Sequence, residues 1–222
     1  MLMPRCLIFA NGTLPDLDSA RRLVRADDFI LCADGGTRHA LTLGLTPHVI
    51  IGDLDSVPDG QAQQMIEQGV EVFQFSRDKN ETDLELALEY AVEQNYREIV
   101  IVAALGERLD QTLGNIGLLA DPRYSTLRPS SGQAFDIRLD DGIEQAFFCR
   151  DESKIEGKLS DLVSLIPWRG EVTVVRTQGL KWPLADETLS PHKTRGISNE
   201  MLGETAQVKI KSGLLLIIHR RQ

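Results

Sequence analysis

Cysteine, histidine and aromatic residues are scarce in this 222-residue chain: three Cys, four His, and 5% Phe, Trp and Tyr together. Cys6, Cys32 and Cys149 are too few and too scattered for a disulfide framework, and none has a partner at zinc-ligand spacing. Cys6 and Cys32 lie inside apolar runs and read as core residues. His39, His48, His192 and His219 form no i, i+4 pair. No apolar run approaches transmembrane length, and residues 1–5 lack the long apolar stretch of a secretory signal. These absences predict a reducing, cytoplasmic setting and no membrane partner. Basic residues are also scarce in one half. Residues 1–120 carry 9 Lys/Arg against 19 Asp/Glu, a net of -10, whereas residues 121–222 carry 15 against 14. Nucleic acid needs a basic footprint, so it is excluded as a partner of the first half. A nucleotide is not excluded, provided a divalent cation supplies the compensating charge.

What is present is a repeated arrangement. Five apolar runs, at 6–10, 29–33, 48–51, 70–75 and 99–103, are each followed by a polar or glycine-rich cluster. The clusters are Asn11-Gly12, then Asp34-Gly35-Gly36, then Gly52-Asp53-Leu54-Asp55-Ser56, then residues 78–83, and finally Gly106-Glu107-Arg108-Leu109-Asp110. Segments of helical character separate the runs, at 17–26, 37–43, 61–68 and 82 onward, with another at 111–119. The clearest opens with a capping box, Thr82 with Glu85, and repeats Leu84, Ala87, Leu88, Ala91 and Val92 at helical spacing. Strands alternating with helices predict βαβ units and a mainly parallel, Rossmann-like sheet. In such a sheet ligands bind beyond the carboxyl ends of the strands, which would gather these clusters at one edge.

The texture changes after Asp121. Pro122, Pro129, Ser130, Ser131 and Gly132 mark a loop or linker. Short runs separated by turn residues follow, at 137–139, 145–148, 162–166, 172–175, 206–210 and 214–218, with no long helical period. That pattern predicts an all-β sandwich or barrel. The expected organisation is an α/β domain over 1–130 and a β-sandwich over 131–222.

Several residues are suited to phosphate chemistry. In an extended segment Asp53 and Asp55 would face one side and could share a cation, although a polar turn would use the same residues. Asp34, Gly35 and Gly36 offer either an amide concavity for phosphate or a tight strand-to-helix turn. Thr82 and Asp83 suit a helix start, but this leaves Asp78, Lys79, Asn80 and Glu81 unexplained beside them. Arg108 could meet a phosphate, and Asp110 could cap a helix or join the acidic set. In the second half Trp182 could stack on a heteroaromatic ring or fill an edge of the core. Ser198 and Asn199 could hold a ligand's polar edge or make a turn. A magnesium-dependent nucleotide phosphohydrolase and a non-catalytic nucleotide-binding sensor are the competing functional readings at this level.

Taken in order, the motifs resemble the thiamine pyrophosphokinase family. They are A-D-G-G at 33–36, G-D-x-D-S at 52–56, K-x-x-T-D at 79–83, G-x-R-x-D at 106–110, G-L-K-W at 179–182 and G-x-S-N-E at 196–200. The resemblance implies an ATP-binding α/β domain, a thiamine-binding β-sandwich, and a homodimer with the thiamine site at the subunit interface. It implies pyrophosphoryl transfer from ATP to the hydroxyl of thiamine, with Mg2+ on Asp53, Asp55 and Asp83. It also implies a catalytic set of Asp53, Asp55, Asp83, Asp110 and Arg108, nucleotide contacts from Asp34, Gly35, Gly36, Lys79, Thr82 and Arg108, and thiamine contacts from Trp182, Ser198 and Asn199. Asn80 stands where many members have an acid, Glu107 replaces a frequent glycine, and Gln111 replaces the histidine typical of bacterial members.

Overall fold

The structure, a computed structural model, describes residues 5–55, 61–106, 108–125 and 135–222. The chain divides into two compact units, 1–142 and 143–222. The first contains strands β1 (Cys6–Phe9), β2 (Phe29–Ala33), β3 (Val49–Gly52), β4 (Glu71–Gln74), β5 (Glu98–Val102) and β6 (Asp136–Asp140). Its helices are α1 (Leu17–Leu23), α2 (Thr37–Thr42), α3 (Gln61–Glu67), α4 (Asp83–Glu93) and α5 (Leu109–Leu119). The strands lie side by side in the order β6-β5-β1-β2-β3-β4, and every pairing is parallel.

The apolar runs explain this sheet. A strand covered on both faces needs apolar residues at consecutive positions, not alternate ones. All four residues of β1 are fully buried. Side chains alternate across a strand. Leu7 and Phe9, Ile30 and Cys32, Ile50, and Val100 and Val102 therefore share one cluster with Ala40 of α2 and Met65 of α3. Helix α4 buries Leu84, Ala87, Leu88 and Ala91 and contributes nothing to that cluster; it packs on β1, β2 and β3. Thr82 caps the helix as predicted, its Oγ1 accepting from the Glu85 N–H at 3.1 Å, which is one half of the predicted capping box. No described helix is long and apolar enough to cross a membrane.

The chain leaves β1 toward β2, β3 and β4 on one side, then returns to place β5 and β6 on the other. The strand order therefore reverses between β1 and β5, the place where an open parallel sheet receives ligands at its carboxyl edge. The first unit runs past residue 130 because β6 pairs in parallel with β5, Ile99 opposite Ile137 and Ile101 opposite Leu139. Residues 126–134, which include Pro129, Ser130, Ser131 and Gly132 and the anticipated boundary at 130, lie outside the described residues, as do Ser56 and Glu107.

Below the sheet, Arg5 makes a bidentate ion pair with Asp28, at 2.8 Å from Nε and 2.7 Å from Nη2. Arg5 Nη2 also donates to the Leu23 carbonyl, and the Arg25 N–H donates to Asp28 Oδ2. The pair ties the start of β1 to the turn before β2.

The second unit is the expected sandwich. Strands β7 (Glu144–Cys149), β9 (Leu162–Pro167), β12 (Asn199–Glu200) and β14 (Leu215–Arg220) make one antiparallel sheet, in the order β12-β9-β14-β7. Strands β8 (Glu152–Glu156), β10 (Val172–Gln178), β11 (Ala185–Leu189) and β13 (Thr205–Lys209) make the other, in the order β11-β10-β13-β8. Cys149, Val163, Leu165, Leu215 and Ile217 of the first meet Ile155, Val172, Val175 and Val208 of the second in one core. A polar group is buried beside it. His219 Nε2 lies 2.9 Å from Asp161 Oδ2, and Gln145 Nε2 lies 2.7 Å from His219 Nδ1. The Gln222 N–H donates to Asp161 Oδ1. Burial opposes ionisation of Asp161, but the backbone N–H donors of Gln222 and Lys158, together with His219, outweigh it and lower its pKa.

Candidate active site

Three glycines bring the carboxyl edge together. Gly36 lies beneath β1, where a Cβ would meet Phe9 O at 2.0 Å. Gly35 lies beneath the Asn11 side chain, at 2.5 Å by the same measure. Gly52 ends β3 against Asp34, and a Cβ there would sit 2.7 Å from Asp34 Cβ. The glycines after β2 thus admit neighbouring protein rather than presenting a free concavity. Asp34 takes a φ of +42°, a region that Asp tolerates better than most residues. Gly52→Ala should push Asp34 out of place. The expected result is a loss of divalent-cation affinity of at least about tenfold with only modest loss of stability, roughly 1–3 kcal/mol, read by Mn2+ titration and thermal unfolding.

This packing sets Asp34 beside Asp53, which follows β3, and Asp83, in the first turn of α4. One carboxylate oxygen from each lies within 4.8 Å of the others. Asp34 is buried, and its Oδ1 has no hydrogen-bond partner among the described residues. Lys79 Nζ reaches Asp83 Oδ1 at 2.9 Å. Burial raises the pKa of Asp83, and the charges of Asp34 and Asp53 add to that despite the nearby Lys79. The Lys79 ammonium is pushed up by its bond to Asp83 and by the field of Asp53 and Asp34. Both shifts report one condition: the cluster favours added positive charge. An all-oxygen donor set with an orphaned buried carboxylate oxygen fits a hard divalent cation such as Mg2+.

A cavity of about 490 Å3 opens over the cluster. Asn11 and Gly12, Asp34, Asp53, Lys79, Thr82 and Asp83 line it, with Arg77, Arg108, Gln111 and Asn115 on its rim and far wall. No motif or spacing singles out Arg77 or Asn115. Asn115 holds the loop after β5 through the Ala104 carbonyl, 2.8 Å from its Nδ2.

Asp55 is not brought into the three-carboxylate group. The premise of an extended Asp53–Asp55 segment fails at Leu54, which has a φ of +66° and packs its side chain into the apolar cluster of the sheet. The turn lets the Asp55 N–H donate to Asp53 Oδ1 at 3.1 Å, and the Asp55 carboxylate lies 3.5 Å from Arg77. Asp34, anticipated only as a phosphate contact, stands with Asp53 and Asp83 instead. Asp110 forms a bidentate pair with Arg108 at 3.1 and 2.6 Å and accepts from the Gln111 N–H. Arg108 and that N–H hold its carboxyl below the usual range.

In the second unit Asn199 clamps the backbone of Trp182. The Trp182 N–H donates to Asn199 Oδ1 at 3.0 Å, and Asn199 Nδ2 donates to the Trp182 carbonyl at 2.7 Å. Asn199 is buried, while the Trp182 ring is 46% exposed with Lys181 Nζ 4.7 Å from its centre. Lys181 also pairs with Glu200 at 2.8 Å. Ser198 has a φ of +56° and donates its N–H to Ser164 Oγ.

The family model for the thiamin pyrophosphokinase catalytic domain matches residues 20–128, and that for the vitamin B1 binding domain matches residues 152–215. The chain belongs to the thiamin pyrophosphokinase family. It is 29% identical to a thiamine pyrophosphokinase of Bacillus subtilis over 187 residues, which covers 83% of this chain and 84% of that protein. It is 26% identical to thiamine pyrophosphokinase 1 of Oryza sativa over 219 residues, covering 86% and 78%. The crystal structure of the Bacillus subtilis thiamine pyrophosphokinase superposes with a TM-score of 0.83 at 26% identity, covering 98% of this chain and 99% of that one. That of Geobacillus thermodenitrificans gives 0.79 at 26% identity, covering 98% of each. The acidic cluster falls within the part matched by the pyrophosphokinase catalytic model, as does its cavity apart from Ala10, Asn11 and Gly12, and the Trp182–Asn199 clamp falls within the part matched by the vitamin B1 binding model. Gln111 lines the cavity.

Proposed function

We propose that this protein transfers a pyrophosphoryl group from ATP to the hydroxyl of thiamine, yielding thiamine diphosphate and AMP. The observation that carries this reading is the cluster of Asp34, Asp53 and Asp83, with an orphaned buried oxygen, under a cavity edged by Lys79, Arg77 and Arg108. Asp34, Asp53 and Asp83 would hold Mg2+, which when bound draws charge from the phosphate oxygens. Lys79 and Arg108 offset the remaining phosphate charge. The thiamine hydroxyl attacks the β-phosphorus in line, a new O–P bond forms, and the bond between the β-phosphorus and the α–β bridging oxygen breaks. AMP leaves with that oxygen. The hydroxyl proton passes to a carboxylate. Most of the acceleration comes from positioning and from electrostatics, as in other phosphoryl transfers.

Thiamine would stack on Trp182, with Ser198 and Asn199 nearby, and the same reading includes a cytoplasmic homodimer that completes the thiamine site across subunits. Trp182→Ala should raise the KM for thiamine about tenfold while leaving the KM for ATP within about twofold, as measured by initial rates. The decisive experiment follows AMP and thiamine diphosphate by chromatography with ATP, Mg2+ and thiamine. Equal, thiamine-dependent formation of both supports the transfer. Phosphate release without thiamine would replace it with a phosphohydrolase. Thiamine binding without turnover would leave a sensor.

A further inference from the structure

The Asn11-Gly12 segment follows the central strand, lines the cavity, and has no task in the proposed transfer. Its position is fixed from two sides. The Ala10 N–H donates to Val102 O at 2.9 Å and the Gly12 N–H to Ala103 O at 2.8 Å, so pairing toward β5 continues beyond β1. The Gly12 carbonyl, 2.9 Å from His39 Nε2 on α2, accepts the other bond. A carbonyl cannot donate, so His39 Nε2 carries the proton. Burial lowers the His39 pKa against the opposing pull of the Gly12 carbonyl, and the half-buried ring is neutral near pH 7. A Cβ on Gly12 would meet Ala103 O at 2.4 Å, which restricts the position to glycine, the residue with the greatest backbone freedom. Next to it, Thr13 Oγ1 is buried with no hydrogen-bond partner among the described residues, so the threonine side chain supplies no competing anchor.

We propose that His39 is a positioning residue for the nucleotide: by holding the Gly12 carbonyl it fixes the Asn11-Gly12 wall of the cavity against which ATP docks. The proposal rests on the reading of this cavity as the ATP site. His39 is not itself among the residues lining the cavity, so it acts through the backbone of Gly12. Without this bond the peptide after Gly12 samples several orientations, and binding ATP must then bear the cost of selecting one.

The test is calorimetric titration of the full chain with ATP in the presence of Mg2+, comparing wild type, His39→Leu and His39→Gln. His39→Leu should weaken ATP binding about fivefold to tenfold, the loss of one net hydrogen bond. In turnover it should raise the KM for ATP by the same factor, with kcat and the KM for thiamine within about twofold. His39→Gln, whose Nε2 amide can donate to the same carbonyl, should bind ATP within about twofold of wild type. If the Leu variant does not fold, His39→Asn takes its place, since its amide is too short to reach Gly12 and the same loss is expected. Wild-type affinity in the Leu or Asn variant overturns the proposal while the ATP site stands. Equal weakening in the Gln variant overturns it too, by making His39 a packing element and not a donor. Failure of the wild type to bind ATP overturns the cavity assignment first, and the proposal with it.

Discussion

Asp53→Asn should reduce formation of AMP and thiamine diphosphate at least about a thousandfold and leave the fold intact. The substitution keeps shape and removes one of three charges that face a common point. Removing a group that stabilises charge developing in a transition state costs about this much in other enzymes. Thermal unfolding should move little, because Asp53 is only half-buried and the cluster is relieved of one repulsive charge. Asp55→Asn should cost far less, about tenfold, because the Asp55 carboxylate lies beside Arg77 and outside the three-oxygen group. The two variants assayed side by side distinguish the set formed by Asp34, Asp53 and Asp83 from the pair that the G-D-x-D-S motif suggests. Near-normal turnover of Asp53→Asn, or an equal loss in both variants, would count against the structural assignment.

The second large effect is on stability. Asp28→Ala should destabilise the protein by about 3–5 kcal/mol, read as a lower urea midpoint at unchanged slope. The side chain of Asp28 is fully buried and that of Arg5 nearly so. Truncating the acid leaves a buried guanidinium without its bidentate partner and the Arg25 N–H without its acceptor. Turnover per folded molecule should be unchanged, because the pair lies at the opposite end of the strands from the acidic cluster. A loss below about 1 kcal/mol would mean that water replaces the missing partner.

Much of the fold was legible from the chain because burial on both faces demands uninterrupted apolar runs. Strands β1, β2, β3 and β5 follow directly from that rule, while β4 is an exposed edge strand and the start of α4 is legible from its Thr82 cap. Strands β8, β11 and β12 were not anticipated. β8 and β11 lie at sheet edges, and β8 buries only Ile155 while β11 buries only Leu189, so neither shows an apolar run. β12 is only two residues long. β6 looked like the first strand of the β-rich half, and only its partner reveals its place, since register is a long-range property. At the site, Asp34, Asp53 and Asp83 were all legible in the sequence as candidate site residues. Their grouping was not, because it depends on a left-handed Leu54 and on how closely Gly52 lets two chain segments approach. Neither can be read from residue spacing. Asn199 was expected to contact a ligand, and the structure shows it bonding both the N–H and the carbonyl of Trp182.

The position of β14 has a consequence for the order in which the molecule is made. Residues 215–220 pair with β7 on one side and β9 on the other, so those two strands have no common neighbour until they arrive, although the sheet β11-β10-β13-β8 already has all its strands. The sheet that carries the carboxylates has all its strands by residue 140. During synthesis from the N-terminus, the acidic half can fold while the other half is still being translated. Until the last strand emerges, β7 and β9 each present an open edge to other nascent chains. Truncations before residue 215 should therefore yield a folded nucleotide half attached to an aggregating tail.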